Sequence, residues 1–135
     1  MTAFQLKIVT PDGLEYEGPA EEVVVRTTSG DMGVLAGHIN CVAPLGMGRA
    51  MFIINGQKKY AACIGGMLSV NGGQVTLVPT TFEWAEEIDV ARAERAAQKA
   101  QSLISTNAAS NAELAMAEAK LKRALVRKAV ATYKP

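Results

Sequence analysis

The sequence predicts a β-sandwich (a flattened antiparallel β-barrel) followed by a C-terminal antiparallel α-helical hairpin, with the change at Glu87/Ile88. Before this junction, short strand-like runs alternate with Gly-rich turns, which is typical of a sandwich. After it, apolar residues recur every three or four positions, the helical period. Net charge also changes sign: residues 1–87 carry five basic and nine acidic side chains (−4), and residues 88–135 carry nine and four (+5). We therefore predict two domains, 1–87 and 88–135.

The composition is that of an ordinary globular chain of 135 residues, 49 % hydrophobic and 20 % charged. No run of about 18 apolar residues predicts a membrane span, and a strand pattern starts too early for a signal peptide. Two cysteines and one histidine do not have zinc spacing and argue against most catalytic triads. Cys41 and Cys63 are expected to be small buried hydrophobes in a reducing compartment.

The first three predicted strands are Phe4–Val9, Leu14–Glu17 and Glu22–Thr27. The first alternates apolar and polar residues, and the third is rich in valine, which favours strands. A turn is expected between the first two because Pro11 fixes φ and Gly13 readily adopts positive φ.

The later strands follow a predicted tight loop, Ser29–Gly33, and include the segment around His38. Asn55-Gly56 and Asn71-Gly72 are strong hairpin signals. No helix of useful length is expected before residue 87. The predicted strands and strand fragments are Val34–Leu35, Val42–Ala43, Arg49–Ile54, Lys58–Ile64, Met67–Val70 and Gln74–Val78.

Two helices are predicted near residues 89–105 and 111–131, separated by a polar break at Thr106–Ser110. Ser110 and Glu113 form a capping box at the start of the second helix. Two helices joined by a short loop predict an antiparallel hairpin. The expected buried stripes are Ala93, Ala96, Ala97, Ala100, Leu103 and Ile104 on the first helix, and Leu114, Ala117, Leu121, Leu125 and Ala129 on the second.

The alanine-rich stripe predicts a hairpin that holds together weakly. Burial stabilises by about 25 cal/mol per Å² of apolar surface, so a methyl group contributes much less than a leucine side chain. Alanine nevertheless keeps each helix helical. We therefore expect the hairpin to open or detach while the sandwich stays folded.

Three arginines are candidates for an anion site. Asp89 and Arg92 share a helix face, which fits either a capping Asp beside a surface Arg or a polar ligand site. In an antiparallel hairpin, Arg92 lies near Arg123 and Arg127 at the end of the second helix. Three guanidinium groups repel each other unless an anion such as phosphate sits among them. The alternative is a solvated basic face.

Other chemistries find little support. Gly30-x-x-Gly33 and Gly46-x-Gly48 match neither a Walker A loop nor a Rossmann fingerprint, and the carboxylates are scattered. The second helix is basic but has no interleaved aromatic residues, so no nucleic-acid partner is expected.

Four motifs in order resemble the ε subunit of the bacterial F-type ATP synthase. They are Gly30-Asp31-Met32-Gly33-Val34-Leu35-Ala36-Gly37-His38, Gly65-Gly66-Met67-Leu68-Ser69-Val70, Ile88-Asp89-x-x-Arg92-Ala93, and Leu121-Lys122-Arg123-Ala124 with Arg127 beyond it. The resemblance implies a non-catalytic rotor subunit, peripheral to the cytoplasmic face of the bacterial membrane. Its sandwich joins the γ subunit to the c-ring. Its hairpin inhibits ATP hydrolysis when it extends into the head of α and β subunits.

The resemblance also implies functional residues. ATP, with or without Mg²⁺, is the implied regulatory ligand that holds the hairpin folded down. The implied ATP site consists of Glu83, Ile88, Asp89, Arg92, Ala93, Arg123 and Arg127, with the arginines on the phosphates. The implied contacts with an acidic segment of the β subunits are Lys122, Arg123, Arg127, Lys128 and Lys134. Asp31 and His38 are the implied c-ring contacts, although His38 fits a structural histidine equally well.

Two positions depart from the family pattern. Asn40 stands where proline is usual after the Gly-His pair, and Met67 stands where an aromatic residue often follows the two glycines. Both departures concern the expected shape of loops near the ring. The alternative to a regulatory rotor subunit is a two-module protein-interaction adaptor that binds no nucleotide, and an enzyme is the third choice.

Overall fold

The computed structural model describes residues 2–106 and 110–134, and the chain divides into two compact units, residues 1–84 and 85–135. The division falls after Trp84, whereas the composition changes after Glu87. The first unit is a β-sandwich and the second is a helical hairpin, so the predicted fold class is confirmed. Part of the predicted polar break, residues 107–109, lies outside the described residues.

Across residues 2–84, eight strands form the first unit. They follow the order β2-β1-β8-β7-β6-β3-β4, and β5 pairs with β7. The β1/β8 pair is parallel and the other pairs are antiparallel. The strands are β1 (Phe4–Thr10), β2 (Gly13–Ala20), β3 (Glu22–Thr27), β4 (Gly30–Leu35), β5 (Cys41–Pro44), β6 (Met47–Ile54), β7 (Gln57–Asn71) and β8 (Gln74–Trp84).

The core of the first unit follows from alternation along the strands. On β1 every second residue is buried, and Leu6 and Ile8 are inaccessible to solvent. Phe52, Phe82 and Trp84 pack edge to face, with ring centroids 4.9 to 6.1 Å apart. Edge-to-face aromatic pairs add to the stabilisation from burial, so this cluster strengthens one part of the sandwich core.

The predicted loop at Ser29–Gly33 was wrong. Strand β4 starts at Gly30, which pairs with Thr27, and Asp31 pairs with Arg26. The turn between β3 and β4 therefore contains only Thr28 and Ser29, because the two strands stay paired as far as Thr27 and Gly30.

The predicted strands at 58–64 and 67–70 are one continuous strand, β7, which passes through Gly65 and Gly66. Strand β8 extends six residues beyond its predicted end at Val78, because it stays paired with β7 as far as Trp84. Pairing between distant segments, rather than local pattern, determines both lengths.

The second unit contains a short 3₁₀ turn (Ala85–Glu87), α1 (Val90–Ser105) and α2 (Asn111–Thr132). Asp89 caps α1 and Ser110 caps α2, each with a side-chain oxygen that accepts from the backbone amide three residues on. Glu113 completes the predicted capping box differently, since its carboxylate accepts from the Ser110 hydroxyl at 3.2 Å. Within the described residues, no helix is long and apolar enough to cross a membrane.

The seam between the helices is narrower than predicted. Small side chains form most of it, and Leu125, which is 48 % exposed, and Ala129 lie outside it, so their predicted burial was wrong. Leu103, at 42 % exposure, and Ala96 are also exposed, so their predicted burial was wrong as well. Alanine side chains let two helices approach closely, which restricts contact to a thin line and leaves flanking leucines in solvent. The fully buried residues of the helices are Ala93, Ala100, Ala117, Ala124 and Val130.

Candidate functional site

A groove of about 310 Å³ runs between α1 and α2 and is the candidate site. Its lining combines apolar residues with four cations and a single carboxylate. The apolar lining residues are Ala96, Ala100, Leu103, Met116 and Ala117, and the charged ones are Lys99, Glu113, Lys120, Arg123 and Arg127. The excess of positive charge makes the groove suitable for an anion.

Two of the predicted ATP-site residues, Arg123 and Arg127, line this groove. They lie four residues apart on α2 and therefore on one face, together with Lys120. Both arginines are half-buried, because the seam beside them is made of small residues that leave room for long side chains. The sequence predicted that Arg92 would converge with these two arginines, but only Arg123 and Arg127 line the groove.

The residues from the Ile-Asp-x-x-Arg-Ala motif are arranged differently. Ile88 and Ala93 are buried, at 8 % and 4 % exposure. Asp89 acts as the cap of α1, with Oδ1 3.0 Å from the Arg92 amide nitrogen. Arg92 is exposed and does not line the groove, although it is four residues from Ala96 on the same helix face. Glu83 lies on β8 of the first unit.

Lys99 and Lys120 are groove residues that the sequence reasoning missed. Lys99 is seven residues after Arg92, two turns along the same face of α1, and Lys120 is three residues before Arg123. Helical spacing from the candidate arginines puts both lysines on the same helix faces, but it does not show that these faces border a groove.

The lysines predicted to contact the β subunits have different environments. Lys122 and Lys134 are exposed. The Lys128 Nζ atom lies 3.0 Å from Oε1 of Glu94, so this lysine joins α2 to α1 by an ion pair. Both partners are about half-exposed, and such pairs stabilise by only about 0.2 to 1 kcal/mol.

The two predicted c-ring contacts lie on the sandwich. Asp31 is exposed, and its Oδ1 accepts from Arg26 Nε at 2.9 Å across the β3/β4 pair. His38 Nδ1 lies 2.7 Å from the carbonyl oxygen of Ile39, which requires that Nδ1 carries the proton and donates it. Its other nitrogen, Nε2, is then the acceptor in the neutral ring. A local bond therefore orients the His38 ring.

Asn40, a departure from the family pattern, has a defined structural role. Its Oδ1 accepts from the Gly72 amide at 2.9 Å and so links this loop to the turn between β7 and β8.

Burial raises the pKa of Cys63 to about 12, so its thiol stays protonated and unreactive at neutral pH. Cys41 is only half-buried, which corrects the expectation that both cysteines are core residues. Among the described residues, no cluster of histidine, cysteine or carboxylate side chains could hold a metal ion.

Family models cover almost the whole chain. The β-sandwich domain of the ATP synthase delta/epsilon chain matches residues 3–85, and the long alpha-helix domain matches residues 86–132. The ATP synthase epsilon chain of Shouchella clausii is 38 % identical over 134 residues, covering 99 % of this chain and 98 % of that one. The epsilon chain of Bacillus pumilus is 40 % identical over 131 residues, covering 97 % and 98 %.

Solved structures are also similar. A chain in the cryo-EM structure of the Euglena gracilis mitochondrial ATP synthase, OSCP/F1/c-ring in rotational state 1, matches with a TM-score of 0.83 and 26 % identity, covering 96 % of this chain and 81 % of that one. A chain from the central stalk/c-ring structure of the Tetrahymena thermophila mitochondrial ATP synthase matches with a TM-score of 0.63, covering 95 % and 96 %. At 11 % identity, the second match shows a shared fold alone.

Proposed function

The chain belongs to the ATP synthase delta/epsilon family, as a non-catalytic subunit of the central stalk, and we propose that its hairpin regulates ATP hydrolysis. In this proposal the sandwich joins γ to the c-ring, with Asp31 and His38 at the ring contact. The whole subunit is peripheral, at the cytoplasmic face of the bacterial membrane. The hairpin permits hydrolysis when folded and inhibits it when extended into the α/β head.

The groove is the observation that supports a regulatory anion. Lys99, Lys120, Arg123 and Arg127 border one groove that Glu113 also lines, so the groove has an excess of positive charge, which favours an anionic ligand. ATP supplies that charge on its phosphates, and arginine is the side chain best suited to bind them. Asp89 contributes by capping α1, since its Oδ1 accepts from the Arg92 amide and fixes where the helix begins.

ATP would also supply the cohesion that the alanine seam does not. A ligand that contacts both helices binds only the folded hairpin and stabilises it by mass action. At a concentration 100 times its dissociation constant, this amounts to about 2.7 kcal/mol. In this way the ATP level of the cell would determine how often the hairpin opens.

Calorimetric titration of ATP into the full chain tests this site. We expect heat of binding and a higher melting temperature at millimolar ATP, and Arg123→Ala should weaken binding at least about tenfold because it removes a charge-assisted contact. Lys122→Ala is the matched control, since Lys122 is on the same helix but outside the groove. Absence of heat and of a melting shift would remove ATP from the proposal and leave the stalk role intact.

Inhibition is tested in the assembled enzyme. The proposed contacts with an acidic segment of the β subunits are Lys122, Arg123, Arg127, Lys128 and Lys134. Of these, Lys122, Lys128 and Lys134 do not line the groove, so replacing all three with Gln alters no side chain of the proposed ATP site. We expect this triple variant to hydrolyse ATP faster than the wild-type enzyme. An unchanged rate would contradict inhibition by these contacts.

A further inference from the structure

The ion pair between Lys128 and Glu94 gives one residue two alternative partners. Lys128 is among the lysines proposed to contact the β subunits, and in the folded hairpin it binds Glu94. We propose that Glu94 competes with the acidic segment of the β subunits for Lys128. In the folded hairpin Glu94 holds Lys128, and the acidic segment displaces Glu94 when the hairpin opens. This inference rests on the proposed function and names a residue that regulates it.

The Lys128–Glu94 ion pair, called the latch below, lies where it can break and form again reversibly. Glu94 lies near the start of α1 and Lys128 near the end of α2, so the pair ties the helices at one end of the hairpin. The lysine and glutamate side chains are 43 % and 48 % exposed, so a carboxylate from another protein can reach the ammonium group without unfolding either helix. Beside them the buried seam consists of small groups such as Ala93 and Val130. Packing there resists separation only weakly.

The sequence of α1 makes Glu94 well suited to compete. It is the only acidic residue of this helix, and Arg92 and Arg95 lie close to it in the chain. When Lys128 separates from Glu94, the Glu94 carboxylate still lies close in the chain to two arginines. Its negative charge offsets part of the positive charge with which these arginines attract an acidic partner. Removing the Glu94 charge therefore has two effects in one direction: it loosens the hairpin and increases the net positive charge presented to the β subunits.

Hydrogen exchange of the full chain measures the latch alone. Glu94→Gln and Lys128→Gln should each accelerate exchange of α1 amides by about two- to fivefold, the range expected when a half-exposed ion pair is lost. Glu118→Gln is the control, because it removes the same charge from an exposed position on α2. Equal exchange in the wild type and Glu94→Gln would overturn the proposal.

The rate of ATP hydrolysis by the assembled enzyme distinguishes two roles of the ion pair. Glu94 either competes with the β subunits for Lys128 or only helps to hold the two helices together. The two variants loosen the hairpin alike, but their effects on activity should be opposite. Glu94→Gln frees Lys128 for the β subunits and should lower the hydrolysis rate, whereas Lys128→Gln removes the contact itself and should raise it. A rate raised by both variants, or unchanged in Glu94→Gln, would overturn competition.

The triple Lys→Gln variant described above makes the two failures distinguishable. If it accelerates hydrolysis while Glu94→Gln has no effect, inhibition by the hairpin stands and the latch is wrong. If neither changes the rate, the proposed inhibition fails and the competition fails with it.

Discussion

Gly65 and Gly66 allow β7 to pair first with β6 and then with β5. Before the pair, β7 is paired with β6, and after it, with β5. Both glycines have positive φ, at 68° and 97°, a conformation that L residues rarely adopt. A Cβ on Gly66 would also collide with the carbonyl oxygen of Val78 on β8. The long strand therefore depends on two positions without side chains.

Gly66→Ala should destabilise the sandwich by about 3 kcal/mol, because it combines unfavourable φ with steric overlap against β8. Gly72→Ala is the control: its φ is also positive, at 57°, but no atom lies within 4 Å of the added Cβ. The control should lose only about 1 kcal/mol. Urea denaturation measures both, and equal losses would show that the contact with Val78 is unimportant.

At the level of elements, each helix is started by one polar side chain. Asp89 and Ser110 accept from backbone amides that have no partner within their helices. These bonds are local, which is why the sequence alone located both helix starts to within a residue. The ends of strands β4, β7 and β8 were not located, because they depend on partners far away in the chain.

Ser110→Ala should reduce the stability of α2 by about 1 kcal/mol, the usual cost of removing an N-cap. Ser105→Ala makes the same change in the last turn of α1, where the hydroxyl only donates to the Gln101 carbonyl. Alanine has the higher helix propensity there, so the control should be neutral or slightly stabilising. Far-UV circular dichroism on heating compares the two, and a similar loss in both would argue against a capping role.

On the scale of the whole molecule, the two units differ in how they are stabilised. The sandwich buries Leu, Ile, Phe and Trp side chains in a single core, whereas the buried residues of the helices are four alanines and one valine. Small groups bury less apolar surface, so the hairpin is the less stable unit. A regulatory element that must change state is expected to be drawn from the less stable part of a fold.

Native-state hydrogen exchange should therefore show faster exchange for α1 and α2 than for Val23–Val25 on β3. The reason is that opening the hairpin exposes little apolar surface, whereas exchange on β3 requires disruption of the sandwich core. Equally slow exchange in both units would mean that they unfold together, and it would exclude a hairpin that opens independently.

The sequence by itself determined the class of both units, the hairpin turns, the helix caps and the presence of Arg123 and Arg127 on one helix face. These features depend on residues close together in the chain, and the four motifs indicated the family. Only the tertiary structure showed that Ile88 and Ala93 are buried, left Leu125 in solvent, placed Lys99 and Lys120 at the groove and paired Glu94 with Lys128. Each of these depends on where a second element lies, and periodicity within one helix does not specify which of its flanks the other helix contacts.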